Sequence, residues 1–115
     1  MMNAKTRAAI GLIASLGATA CATNQSRFEW GRYDTSLYAY SKHPEKLPIF
    51  ESSLEEAISR GKEKGHVAPG LQAELGYLYL GEGKRAEAIE QFNAEMTMFP
   101  ESRLFLTKII AQSQS

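Results

Sequence analysis

Leu71-Gln72-Ala73-Glu74-Leu75-Gly76-Tyr77-Leu78-Tyr79-Leu80, then Gly81-Glu82-Gly83, then Lys84-Arg85-Ala86-Glu87-Ala88-Ile89-Glu90-Gln91-Phe92: this stretch decides the fold. Leu75 with Tyr79, and Ala88 with Phe92, recur at helical rather than strand spacing. The two glycines around Glu82 mark a turn. Pro100 stops the second segment, because proline lacks the amide a helix interior needs. Gly76 and Ala88 are small, so the two segments can cross closely there, with Tyr79 and Phe92 filling the space beside them. The reading is two helices joined by a tight turn.

Leu75, Gly76, Tyr79, Gly83, Ala88, Ile89, Phe92 and Pro100 stand at the spacing of a tetratricopeptide repeat, and residues 69–102 resemble one. That repeat is a helix–turn–helix unit of about 34 residues. Two residues depart from the pattern. Gln72 occupies a position where the repeat prefers a large apolar side chain, and Glu95 one where it prefers alanine. By the resemblance, Ala73, Tyr77 and Leu80 line the concave groove in which such arrays bind peptides or helices. Tyr38 and Tyr40, from the preceding first helix, are candidates for the same groove. Tyrosine suits an interface, with an apolar body and a hydroxyl tip.

One repeat cannot bury both its faces, so neighbours are required. Upstream, Trp30, Tyr33, Leu37 and Tyr40 form a helical stripe, and His43-Pro44 ends it. A helix is expected over about 32–42. A second is expected over about 47–64, with Pro48 in its first turn, Phe50, Leu54, Ala57 and Ile58 on its apolar face, and Gly65 after its end. Residues 65–70 read as a connector. The Trp30–Tyr33 cluster reads as core or as a cap on the open end rather than as a partner site. Downstream, Leu104, Phe105, Leu106, Ile109 and Ile110 predict a final capping helix. The expected fold is all-α: a short tetratricopeptide-like α-solenoid of about five helices over residues 28–115.

The single cysteine bounds the other end. Cys21 follows Lys5, Arg7, an apolar run over 8–18 and the small residues Thr19-Ala20. A basic start, a short apolar core and small residues before a cut site read as a secretory signal. The run is too short to span a bilayer, which takes about 20 helical residues. With cysteine next, the arrangement resembles a bacterial lipoprotein signal, although Ala18 stands where such signals typically carry leucine. The resemblance implies that residues 1–20 are removed and that Cys21 carries a diacylglycerol, with an acylated amine. Residues 21–27 are then a lipidated tether. Ala22, where inner-membrane lipoproteins often carry aspartate, implies the outer membrane, facing the periplasm. An ordinary signal cut elsewhere is the competing reading.

The chain has 115 residues, 13 basic and 13 acidic. Without Lys5 and Arg7 the mature formal charge is about −2, and nothing is basic enough to suggest nucleic acid. One cysteine allows no intramolecular disulfide.

With Cys21, Trp30-Gly31-Arg32-Tyr33, Leu37-Tyr38 and the repeat-like half together, the chain resembles a family of small bacterial outer-membrane lipoproteins of unknown function. Its members are often encoded beside a curli-secretion-channel-like lipoprotein. The resemblance implies a role in envelope or secretion-channel assembly, with such a lipoprotein as a possible partner, and it brings no catalytic residues.

Chemistry has little to work with. Asp34 is the lone aspartate, and His43 and His66 are loop residues without metal-ligand spacing. Gly81-Glu82-Gly83-Lys84 lacks the spacing of a phosphate loop. No metal and no cofactor is expected beyond the covalent lipid on Cys21. The expected function is non-enzymatic: an outer-membrane lipoprotein that binds an envelope protein, with Tyr77, Leu80, Tyr38 and Tyr40 as partner-binding candidates. A pilotin-like chaperone of an outer-membrane subunit and an activator of a cell-wall enzyme are the alternatives.

Overall fold

Glycine and proline set the helix limits in this chain. The computed structural model describes residues 27–114. Residues 1–26, and with them the signal segment, Cys21 and nearly all of the tether, lie outside the described residues.

Helix α1 spans Tyr33–Lys42, with Asp34 in its first turn and Lys42 in its last, each matching the helix dipole. It stops at His43, whose backbone is extended (φ −135°) ahead of Pro44, and a 3-10 turn at Pro44–Lys46 leads on. Helix α2 spans Leu47–Lys64. Gly65 ends it at φ 73°, a left-handed conformation that glycine adopts without a side-chain penalty. There the amide of Gly65 donates to Lys62 O at 3.4 Å and that of His66 to Gly61 O at 2.7 Å. Helix α3 is Leu71–Gly81, α4 is Arg85–Met98, and α5 is Arg103–Ser113 after a 3-10 turn at Pro100–Ser102. Among the described residues the architecture is all-α with five α-helices, as expected. Among the described residues the only extended pairing is one parallel bridge, Glu29 with Val67.

Each helix packs on the next in sequence. Two cores result. The first joins Phe50, Leu54, Ala57 and Ile58 of α2 to Ala68, Leu71 and Leu75, with Trp30, Tyr33, Leu37 and Tyr40 packed against it. The aromatic stripe is therefore core: Tyr40 stacks on Phe50 at 5.4 Å, and Trp30 leans on Tyr33 at 5.6 Å. Full burial of an apolar side chain such as Phe50 or Leu54 contributes about 1.5–3 kcal/mol, and the half-buried aromatics contribute less. The second core joins Ala88 and Phe92 of α4 to Leu106 of α5, with Ala73, Tyr79, Leu80, Ile109 and Ile110 around it. Tyr79 touches both.

The expected α3–α4 crossing is present. A Cβ on Gly76 would stand 2.5 Å from Phe92 Cε1, and Ala88 is fully buried. Across α1 and α2 a polar contact joins the aromatic packing. Ser36 and Ser53 are buried, their hydroxyls 2.6 Å apart; one donates to the other, which donates to its local carbonyl, Tyr33 O for Ser36 or Phe50 O for Ser53. Tyr33 reaches past α2 and donates to Glu74 Oε2 of α3 at 2.8 Å.

Residues 65–70 are more than a connector. Val67 and Ala68 are buried, and the Glu29 amide donates to His66 O at 2.8 Å. Gly61 permits this approach, since a Cβ there would lie 2.8 Å from Val67 Cα.

Candidate functional site

Helix α3 begins without a cap of its own. Gly70 precedes it at φ 92° and offers no side-chain acceptor for the first amides. Glu95, from the far end of α4, supplies both acceptors. Its Oε2 accepts from Gly70 N–H at 2.9 Å and its Oε1 from Ala73 N–H at 3.1 Å. The carboxylate is 2 % exposed and stands at the positive end of the α3 dipole. Glu95, a departure from the repeat pattern in the sequence, is thus a cap supplied by another helix. The other departure, Gln72, is also buried, and neither its amide nitrogen nor its oxygen has a protein partner.

Beside this cap opens a groove of about 330 Å3 between the start of α3 and α5, with Pro69, Ala73, Phe99, Phe105 and Leu106 as its apolar walls. Glu95 lies in its floor and Glu101 on its rim. Phe105 is 59 % exposed and its neighbour Leu104 76 %. Tyr77 stands one turn after Ala73 on the same side of α3. The far wall of Phe99 borders a second cleft of about 280 Å3, with Phe28, Val67 and Met98.

The candidates from sequence divide. Tyr77 is 42 % exposed and meets Phe92 edge-on at 5.7 Å. Leu80, expected on the concave groove, is half-buried against the second core, so it serves packing as well. Tyr38 is 67 % exposed, with the Lys42 ammonium 5.7 Å from its ring centre. Tyr40 lies on Phe50 in the first core. Cys21 lies outside the described residues. Sequence reasoning missed Phe105 as a surface residue. Its helix was read as a cap, and five apolar residues among 104–110 exceed what one buried face takes up.

A polar cleft of about 320 Å3 lies at the other end of the α3–α4 hairpin, lined by Glu51, Glu55, Glu82 and Lys84 among others. Burial, then the neighbouring Glu82 carboxylate, pushes the Glu51 carboxyl up to about 7. Glu82 is held low by its hydrogen bond with Glu51 and by Lys84, whose Nζ is 3.2 Å away. Tyr79 donates to Glu55 Oε1 at 2.9 Å, and burial with this carboxylate pushes its phenol up to about 12. Among the described residues no group of His, Cys, Asp and Glu is arranged to hold a metal, and no helix is long and apolar enough to cross a membrane.

No curated protein and no solved structure matches the chain. A family match covers residues 28–109, from the first aromatic residue of the domain to the second core, and so the chain belongs to the family described as domain of unknown function (DUF4810).

Proposed function

We propose that this protein is a non-enzymatic outer-membrane lipoprotein, anchored through an acylated Cys21, whose helices form a short tetratricopeptide-like solenoid that binds an envelope protein. The observation that carries the reading is the apolar groove between α3 and α5, with Phe105 exposed on one wall. The Glu95 cap holds the α3 end of that groove to α4, which gives a partner a preformed surface and lowers the ordering cost of binding. Of the α3 residues placed in a groove by the repeat register, Ala73 lines it, and Tyr77 stands one turn beyond, outside the lining. A curli-secretion-channel-like lipoprotein is the partner class implied by the family resemblance. Its occupancy of the groove would be by an extended or helical apolar segment.

The test is Phe105→Glu in the membrane-anchored protein. Loss of a central anchor costs about 2 kcal/mol or more, roughly a 30-fold loss of affinity. Helicity and membrane attachment stay at wild-type levels, while the crosslinked envelope partner is lost. Retention of the partner would contradict the reading. Mislocalisation of the partner, rather than loss of its activity, marks the chaperone alternative.

A further inference from the structure

The described chain begins at an apolar end of the domain. Phe28, Val67, Met98 and Phe99 line one cleft there. Phe28 meets Phe99 edge-on at 6.5 Å, and Met98 is 44 % exposed. Cations frame the patch: Lys62 lines the cleft, and Arg27 is exposed immediately before Phe28. At the opposite end of α2, Glu51 and Glu55 line a cleft with Glu82 and Lys84 from the α3–α4 turn. Glu51 and Lys62 are separated along α2 by about 16 Å, at about 1.5 Å per residue. One end of the domain is therefore apolar with Arg27, Lys62 and Lys64 around it, Lys64 pairing with Glu29 at 3.3 Å, and the other end carries three carboxylates and Lys84.

The chain outside the described residues points the same way. Six residues, 22–27, separate Cys21 from Phe28. Even fully extended, that segment reaches only about 25 Å. An acyl chain on Cys21 would hold this end, and no other, next to the bilayer.

We infer that the Phe28–Met98–Phe99 patch is a membrane-docking surface, resting on the headgroup–acyl boundary of an anionic bilayer with Lys62 and Arg27 directed at lipid phosphates. The inference rests on the lipid-anchor reading. Apolar side chains ringed by cations are the combination that binds such a boundary. Lys62 and Arg27 can lay their stems along apolar surface while their charges stay wet. Docking in this pose points the acidic cleft away from the negative lipid surface.

The experiment uses the full lipidated protein, purified from membranes and reconstituted in vesicles of phosphatidylethanolamine and phosphatidylglycerol. Met98→Cys and Ala86→Cys variants each carry a thiol-reactive fluorophore, and the vesicles carry headgroup spin-labelled lipid as quencher. Ala86 is exposed at the start of α4, about 18 Å along the helix from Met98. Lys62→Cys repeats the measurement without altering an apolar side chain. Quenching at positions 98 and 62 at least fivefold greater than at 86 is the expected result. Equal quenching at all three overturns the inference, because the domain then moves freely on its tether. Quenching that grows with protein density in vesicles free of spin label assigns the patch to a second copy and also overturns it. The labelling stoichiometry separates the two levels. One fluorophore per chain, with an intact mass that includes an acylated Cys21, means the anchor stands whatever the docking result, and an intact mass that lacks Cys21 removes the anchor and the docking surface together. Two per chain means Cys21 is free, and the anchor and the docking surface fall together.

Discussion

Glu51 faces the turn between α3 and α4, and its titration links that turn to stability. Its carboxyl rises from an ordinary 4.5 to about 7, first through burial and then through Glu82. Between those values the folded chain keeps a proton that the unfolded chain releases. Stability therefore declines as pH rises from about 4.5 to about 7, and the decline is complete above that. Glu82 acts in the opposite sense, because its carboxyl is lowered, and its contribution is lost only as pH falls below 4.5. Glu51→Gln retains a donor toward Glu82 and removes the titration. The variant should melt above wild type at pH 8 and within error of it at pH 4.5. The same difference at both pH values would show that Glu51 does not hold the proton.

The Glu95 bridge belongs to the scale of the element, since it ties the start of one helix to the end of another. The repeat pattern places alanine there, so pattern alone predicts that Glu95→Ala is neutral or stabilising. The geometry predicts the reverse. The change leaves the Gly70 and Ala73 amides without a protein acceptor in a part-buried site, costing about 2 kcal/mol. For a domain of this size that lowers the melting temperature by roughly 10 °C. Glu95→Gln keeps one acceptor oxygen and should lose about half as much. A melting temperature of the alanine variant within 2 °C of wild type would refute the cap. The comparison also shows what the sequence made legible. Helices α1 and α2 fell within a residue of their expected limits, because His43-Pro44 and Gly65 are punctuation that acts locally. The Gly76–Phe92 crossing was legible because small residues at a fixed spacing leave few other packings. Glu95 was not, since its partners lie 22 and 25 residues away and are backbone amides with no sequence signature. The burial of Val67 and Ala68 was hidden likewise, as it depends on Gly61 and on the incoming Glu29.

At the scale of the whole molecule, two cores sharing Tyr79 leave three surfaces of different character: the α3–α5 groove, the apolar patch at the chain's entry, and the acidic cleft opposite. The groove was only half legible in the sequence. Ala73 could be placed on its wall from the repeat register, whereas Phe105 could not, because nothing local tells a buried face of α5 from its exposed one. The two tyrosines of α1 show the same limit. Two positions apart on a helix, they point about 200° apart, so Tyr40 packs on Phe50 while Tyr38 meets solvent. The central claim is that the groove, and not the α1 surface, holds the partner. Its most direct test places a photo-crosslinking side chain at position 105, or at position 38, of the membrane-anchored protein in intact cells. The account predicts one adduct of defined mass from position 105, containing an envelope protein, and none from position 38. An adduct from position 38 with none from position 105 would contradict it.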